Sequence, residues 1–338
     1  MSDAAFVDGG YSSRRSSRVD QMAGIAPDQR IFLAAKAPES IAASSSSPAA
    51  RPATPSERRG GPAAEFFAPA RRLTAAQLVA VRDGLSSRDQ LVLASLDQHP
   101  YLITAQLQRL HFASHATDGA AGRVCRRVLK RLAGLRIIEH LDRRVGGVRA
   151  GSASYVWRIG PVGDRLLRLT HNEGGRLRRK EPSLRYLEHC LLAAETHIRL
   201  LEAGQRGELE VIRVEAEPTC WRSYLGPGAA RGVLKPDLYA VTAAPGGAYE
   251  DHWFIEVDRA TESIPTLLGK CVQYEQYRRA GVEQQAQGVF PRVLWLLPSQ
   301  QRRQGLAEAL GRARTLDRNL HRLTTINELI PAVLEADR

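Results

Sequence analysis

The stretch Leu234–Asp258, LKPDLYAVTAAPGGAYEDHWFIEVD, decides how the second half of this 338-residue chain is read. Two runs rich in aromatic and branched apolar residues flank Gly246-Gly247, so the pattern predicts two strands joined by a turn. The first strand, Leu234–Thr242, is entered through Pro236, and the second is His252–Asp258. Asp237 stands at the start of the first strand. Glu256 and Asp258 lie two apart near the end of the second and so project to one face. If the strands pair as a hairpin, the three carboxylates converge at one end of the sheet. Hard divalent cations such as magnesium take a few carboxylate oxygens and keep water positions open. Such an ion lowers the pKa of a bound water and stabilises the charge of a phosphate under attack.

The surrounding sequence completes a sheet domain over residues 183–335. Downstream, Ser263–Arg279 reads as a helix with Leu267, Leu268, Cys271 and Tyr274 inward. Phe290–Leu297 is nearly all apolar, as a buried central or parallel strand should be. A helix over Gly305–Arg314, a short strand over Leu323–Ile326 and the run INELIPAVL follow. Upstream, Leu209–Glu215 alternates as a strand and leads into a glycine-rich loop with Trp221 and Tyr224. Leu184–Ala203 is a long helix with one apolar face. The order α-β-β-β-α-β-α-β gives a mixed-sheet α/β domain, within a chain that is α+β overall.

Ahead of a charged linker, residues 171–182, the pattern changes. Residues 74–170 read as a compact helical unit with a hairpin. A helix follows Ser87 and ends at His99-Pro100; a short one starts at Thr104; a third runs Gly119–Leu135; strands follow at Ile137–Leu141 and YVWRIG; and Pro161 opens a last helix. Helix, short helix, basic helix and hairpin is the order of a winged helix-turn-helix, whose third helix enters the major groove. The third helix carries Arg123, Arg126, Arg127, Lys130 and Arg131, able to reach phosphates and guanine edges. Arg143, Arg144 and Arg149 on the hairpin would reach the flanking backbone. Residues 1–72, rich in Ser, Ala, Pro and Arg, are expected to be a disordered tail, because such composition buries too little apolar surface to offset its ordering entropy.

Charge sharpens this division. The net charge is +12, yet residues 71–180 alone hold 21 Lys/Arg against 8 Asp/Glu, while residues 181–338 hold 19 against 21. A coding preference for arginine (43 Arg, 5 Lys) does not explain a local excess. Concentrated positive charge is the footprint of a polyanion, so double-stranded DNA is the expected partner. No apolar run of about 18 residues suggests a membrane span, and no signal segment opens the chain, so a cytoplasmic location is expected. Four scattered cysteines, Cys125, Cys190, Cys220 and Cys271, read as reduced buried thiols. No Gly-x-x-x-x-Gly-Lys loop marks an ATPase.

Two resemblances add to this reading. The helix with Glu195, then Pro236-Asp237, then Glu256-x-Asp258, then a helix, resembles the PD-(D/E)xK nuclease superfamily. The resemblance implies a restriction-endonuclease-like fold, with Asp237 and Glu256 as metal ligands, Glu195 as an assisting acid, and a lysine that positions the attacking water. Asp258 stands where that family has its lysine, so Lys235 or Lys270 would have to substitute. It implies Mg2+ if the site is active and no cofactor otherwise. The Gln273-Tyr274-x-x-Tyr277 stretch resembles a signature some members carry. Residues 85–335 as a whole are similar to the replication-relaxation family, through YVWRIGPVGDRLL, LEHCLLAAETHIRL, KPDLYAV, WFIEVDRATES and LLGKCVQYEQY. That similarity implies a DNA-binding protein of plasmid or mobile-element replication initiation and DNA relaxation, working beside other replication or transfer proteins.

Plainer readings stand beside these. Asp258 would cap the turn that follows it, and Glu256 would pair with Arg259 or Arg278. His189 and His197, eight apart, read as a core pair, and Trp253 and Trp295 as core. Tyr274 and Tyr277 read as packing residues rather than a base-stacking platform. The helix Leu184–Leu201 is either the first helix of the sheet domain or a homodimer interface. The functional alternatives are a DNA-binding protein with an inactive nuclease-like domain, and a metal-dependent nickase or endonuclease.

Overall fold

A computed structural model describes residues 73–113, 117–145, 154–171, 181–226 and 231–335, with the side chains of residues 143–145, 170 and 171 outside that description. The expected tail, Arg149 and most of the expected linker also lie outside the described residues. All described residues belong to one compact unit, Ala68–Arg338.

The helical half begins with α1 (Ala75–Asp83) and α2 (Ser87–Gln98). Each is opened by a capping box, Thr74 with Gln77 and Ser86 with Asp89. The cap of α2 is therefore Ser86, one residue before the serine at which the sequence reading placed it. Next come β1 (Leu102–Ile103), α3 (Thr104–His111), α4 (Asp118–Gly134), β2 (Ile138–Val145), β3 (Ser154–Ile159) and α5 (Pro161–His171). The strands form an antiparallel sheet in the order β1-β3-β2. Val92, Leu96, Leu107, Phe112, Leu129 and Leu132 fill the core beneath. Close backbone approach fixes Gly163, where a Cβ would fall 2.1 Å from the Ile137 carbonyl oxygen.

The other half runs α6 (Leu184–Gln205), β4 (Glu210–Ala216), β5 (Arg222–Leu225), β6 (Arg231–Leu234), β7 (Leu238–Ala243), β8 (Asp251–Val257), α7 (Ile264–Ala280), α8 (Val282–Gln287), β9 (Arg292–Leu297), α9 (Gln300–Arg312), β10 (His321–Thr325) and α10 (Leu329–Leu334). Five strands make one mixed sheet in the order β10-β9-β8-β7-β4. β4, β7 and β8 pair antiparallel, while β8, β9 and β10 pair parallel. One face packs on α7 and α9 through Tyr239, Phe254, Val293 and Trp295. The other packs on α6 and α10 through Leu238, Trp253, Ile255 and Leu294. This is the mixed α/β fold expected, and β9, parallel on both sides, owes its unbroken apolar run to burial on both faces.

The structure corrects the sequence reading at one informative place. The expected strand Leu234–Thr242 is two strands, because Lys235-Pro236-Asp237 interrupts it. Proline cannot donate to a ladder and so marks the break. β6 turns away to pair with β5 as a separate two-stranded ribbon.

α6 serves both halves. Its Ala194 joins the helical core, whereas Ala193 and Leu200 join the core under the sheet. Arg109 of α3 reaches both Glu195 at 2.8 Å and Glu202 at 2.6 Å on α6. Gln106 donates to the Leu191 carbonyl oxygen at 3.0 Å. No described helix is long and apolar enough to cross a membrane.

Candidate functional site

α4 presents one face to solvent. Arg123, Arg126, Arg127 and Lys130 recur at i, i+3, i+4 and i+7, which is one stripe of an α-helix, and all four are exposed. None of them forms an ion pair with a described residue. The opposite face buries Ala121, Cys125, Leu129 and Leu132. Arg131 differs from its neighbours: it pairs with Asp89, which is 2% exposed and is also held by Ser86. Of the hairpin arginines, Arg143 and Arg144 lie on β2 and Arg149 lies outside the described residues.

A pocket of about 310 Å³ opens at one end of the five-stranded sheet, lined by residues of α6, β8 and α7. Antiparallel register sets its floor. Leu238 faces Ile255 across the β7–β8 ladder, so Asp237 and Glu256, one step further, are neighbours across the strands. The Asp237 amide donates to the Ile255 carbonyl oxygen at 3.1 Å. Its carboxylate accepts the Val257 amide at 2.7 Å and lies 3.0 Å from His189 Nε2. Glu256 accepts the Tyr274 hydroxyl at 2.6 Å and the Lys270 amine at 3.3 Å. Lys270 also lies 3.3 Å from Glu262.

Burial dominates the electrostatics. Glu256 is 3% exposed. Desolvation, and then the charge of Asp237, push its carboxyl up to about 7, against the opposing pull of Lys270 and Tyr274. Burial alone would lower the Lys270 ammonium, but Glu256, Asp237 and Glu262 together outweigh it and hold the amine protonated. The hydrogen bond to Asp237 raises His189. Glu217, half-buried, is raised by burial and by Asp237.

The sequence candidates divide clearly. Asp237, Glu256 and Lys270 come together. Lys235 does not join them: with its strand interrupted, its ammonium sits 4.5 Å from the centre of the Trp221 ring. Glu195 also stays away, paired with Arg109 and Arg199. Asp258 borders the pocket, but Arg302 takes both its oxygens, at 2.7 and 3.2 Å. It also accepts the amide of Ala260, which has a left-handed φ of 55°, so the expected turn cap is present. Glu256 pairs with Lys270 rather than with Arg259 or Arg278; Arg259 instead bonds Glu188, and Arg278 bonds Glu275.

The two histidines of α6 are not a pair. Eight residues at 100° each leave them about 80° apart around the helix. His189 turns to Asp237, whereas His197 meets His99 at 2.8 Å. His189 was therefore missed as a site residue. Its signal was its place at the head of the sheet-facing stripe Leu192, Ala193, Thr196 and Leu200. Trp253, Trp295, Tyr274 and Tyr277 are buried, as expected, although Tyr274 also binds Glu256. All four cysteines are free and buried.

Among the described residues no group of three or more His, Cys, Asp or Glu is arranged to hold a metal ion. The replication-relaxation family model matches residues 93–293, from within α2 to the start of β9. That span contains α4 and the pocket residues His189, Asp237, Glu256, Asp258 and Lys270. No curated protein and no solved structure matches the chain.

Proposed function

The chain belongs to the replication-relaxation family, and from that premise we propose that it acts in plasmid or mobile-element replication by gripping duplex DNA with α4. The supporting observation is the exposed stripe Arg123, Arg126, Arg127 and Lys130. Cations that face water repel one another only weakly, and when they meet phosphates the DNA releases its condensed counterions. The order of α2, α3, α4, β2 and β3 is that of a winged helix, in which the helix corresponding to α4 lies in the major groove. Anisotropy of a labelled duplex, titrated at several salt concentrations, tests this. Binding should weaken steeply with salt and collapse when Arg126, Arg127 and Lys130 become Ala. Affinity indifferent to both changes would overturn it.

A second reading rests on a different observation, the amine of Lys270 at 3.3 Å from Glu256 beside Asp237. This supports a metal-dependent nickase or endonuclease of PD-(D/E)xK type, with the lysine moved to the helix after β8. Magnesium is commonly held by one or two carboxylates together with waters and substrate phosphates. Asp237 and Glu256 fit that donor set, with a pocket open beside them. Bound there, the ion would supply Lewis acidity and an acidified water. His189 and the Val257 amide fix Asp237, and Tyr274 fixes one oxygen of Glu256. Lys270, held as an ammonium, serves as a donor to a phosphate oxygen and not as a base. Supercoiled plasmid should be nicked with Mg2+ or Mn2+, and Asp237→Ala or Glu256→Ala should abolish nicking. Cleavage that survives both changes removes this reading.

A further inference from the structure

We infer that the acid pocket and the basic helix address one duplex: DNA held by α4 runs along the β2–β3 pair to the mouth of the pocket, so the phosphodiester facing Asp237 and Glu256 lies at a fixed distance from the bound sequence. This rests on the DNA-binding reading of α4, and it does not require that the pocket cut.

The first turns of α6 carry the argument. Leu187 is fully buried against Leu141 of β2 and Val156 of β3. The residue before it, Tyr186, lines the acid pocket and is 46% exposed. His189, two residues after Leu187, bonds Asp237. The β2–β3 pair and the pocket therefore meet on opposite sides of a single helical turn, about 5.4 Å of helix. Tyr101, just ahead of β1, closes the seam with an edge contact to Tyr186, ring centres 6.3 Å apart.

Among the described residues, side chains tie the two sides of this seam together. Arg109 ties α3 to α6 through two carboxylates, and Gln98 of α2 donates to the Val214 carbonyl oxygen of β4 at 3.0 Å. The helix that positions α4 and the helix that positions Asp237 are thus one packed body. Charge also suits the path. Arg185 and Lys270 stand at the pocket, exposed and 37% exposed, with Glu262 beside Lys270, so the mouth offers a phosphate backbone two cations above the buried acids. Proteins place such contacts to fix the register of a duplex.

A tethered cleavage reagent tests this without calling on any activity of the pocket. Thr261 is exposed at the pocket, and only its backbone carbonyl oxygen is used, by Arg185. Tyr249, 81% exposed, lies at the opposite end of the β7–β8 hairpin. The native thiols are buried. An iron chelate is attached to Thr261→Cys and, separately, to Tyr249→Cys. Each full-length protein is bound to a duplex enriched by the wild type from a random-sequence pool. From Thr261→Cys, strand scission should fall in one window within about one to two duplex turns of the α4 footprint, on the order of the span of a unit this size. From Tyr249→Cys, scission should be at least about tenfold weaker in that window. A clear footprint with no scission from Thr261→Cys, or equal scission from both sites, overturns the inference and leaves the DNA-binding reading standing. Failure to enrich any duplex overturns both.

Discussion

α4 and the acid pocket handle charge in opposite ways. On α4 four cations face water and none is paired with a described residue. In the pocket Glu256 and Asp258 are almost wholly buried, and every carboxylate oxygen named there meets a donor. Exposed charge contributes little to the fold and is free to meet a partner. Buried charge is bound up with stability first, and any chemistry it performs is built on groups the fold already needs. The contrast predicts that equal substitutions in the two regions move different observables.

The largest effect should come from the buried side. Arg302→Ala leaves the Asp258 carboxylate, 2% exposed, without its main partner, a change that typically costs about 3–5 kcal/mol. Urea unfolding should register that loss, whereas Arg127→Ala on α4 should stay within about 0.5 kcal/mol of the wild type. Equal losses at the two sites would erase the contrast. On the exposed side, the triple change of Arg126, Arg127 and Lys130 to Ala should lower duplex affinity on the order of 10²-fold at moderate salt. The slope of log affinity against log salt should flatten by about 3, with unfolding hardly altered.

pH separates the regions next. Glu256 keeps its proton to about 7 in the fold, above the ordinary 4.5, because of burial and then Asp237. Folding therefore takes up a proton between those values. The contribution of this group is whole below about 4.5 and is lost as pH rises through about 7. Glu256→Gln should match the wild type near pH 4.5 and exceed its unfolding free energy near pH 8, by on the order of 1–3 kcal/mol. A wild-type advantage at the higher pH would show that the pair with Lys270 outweighs burial.

The same contrast explains what the sequence made legible. The stripe on α4 was readable because exposed helical positions obey a fixed period and nothing else competes for them. The meeting of Asp237 with Glu256 was readable for a related reason, since a hairpin register carries it. Partners across tertiary contacts were not readable. Lys235 and Lys270 looked equivalent until Pro236 was seen to interrupt the strand, and Glu195 looked like a site acid until Arg109 claimed it from the other half. Glu217 and Glu262 gave no local signal, because their proximity to the site depends on a turn and on a neighbouring helix.

Arg131 sharpens the comparison within a single helix, and with the smallest effect. In the sequence it belongs to the basic set of α4. In the fold its guanidinium pairs with buried Asp89, the residue that also completes the cap of α2. Burial tends to raise the Asp89 carboxyl, but Arg131 and Ser86 prevail and hold it below its ordinary range. Arg131 is itself 46% exposed, so water moderates the pair and its loss should cost only about 1 kcal/mol. Arg131→Ala should therefore lower unfolding free energy by that amount while duplex affinity changes no more than about threefold, the reverse of what Arg127→Ala does four residues away. If instead Arg131→Ala weakens DNA binding as much as Arg127→Ala and leaves stability untouched, the guanidinium leaves Asp89 for a phosphate when DNA arrives. The boundary between structural and partner-seeking charge would then lie inside α4 only in the unbound protein.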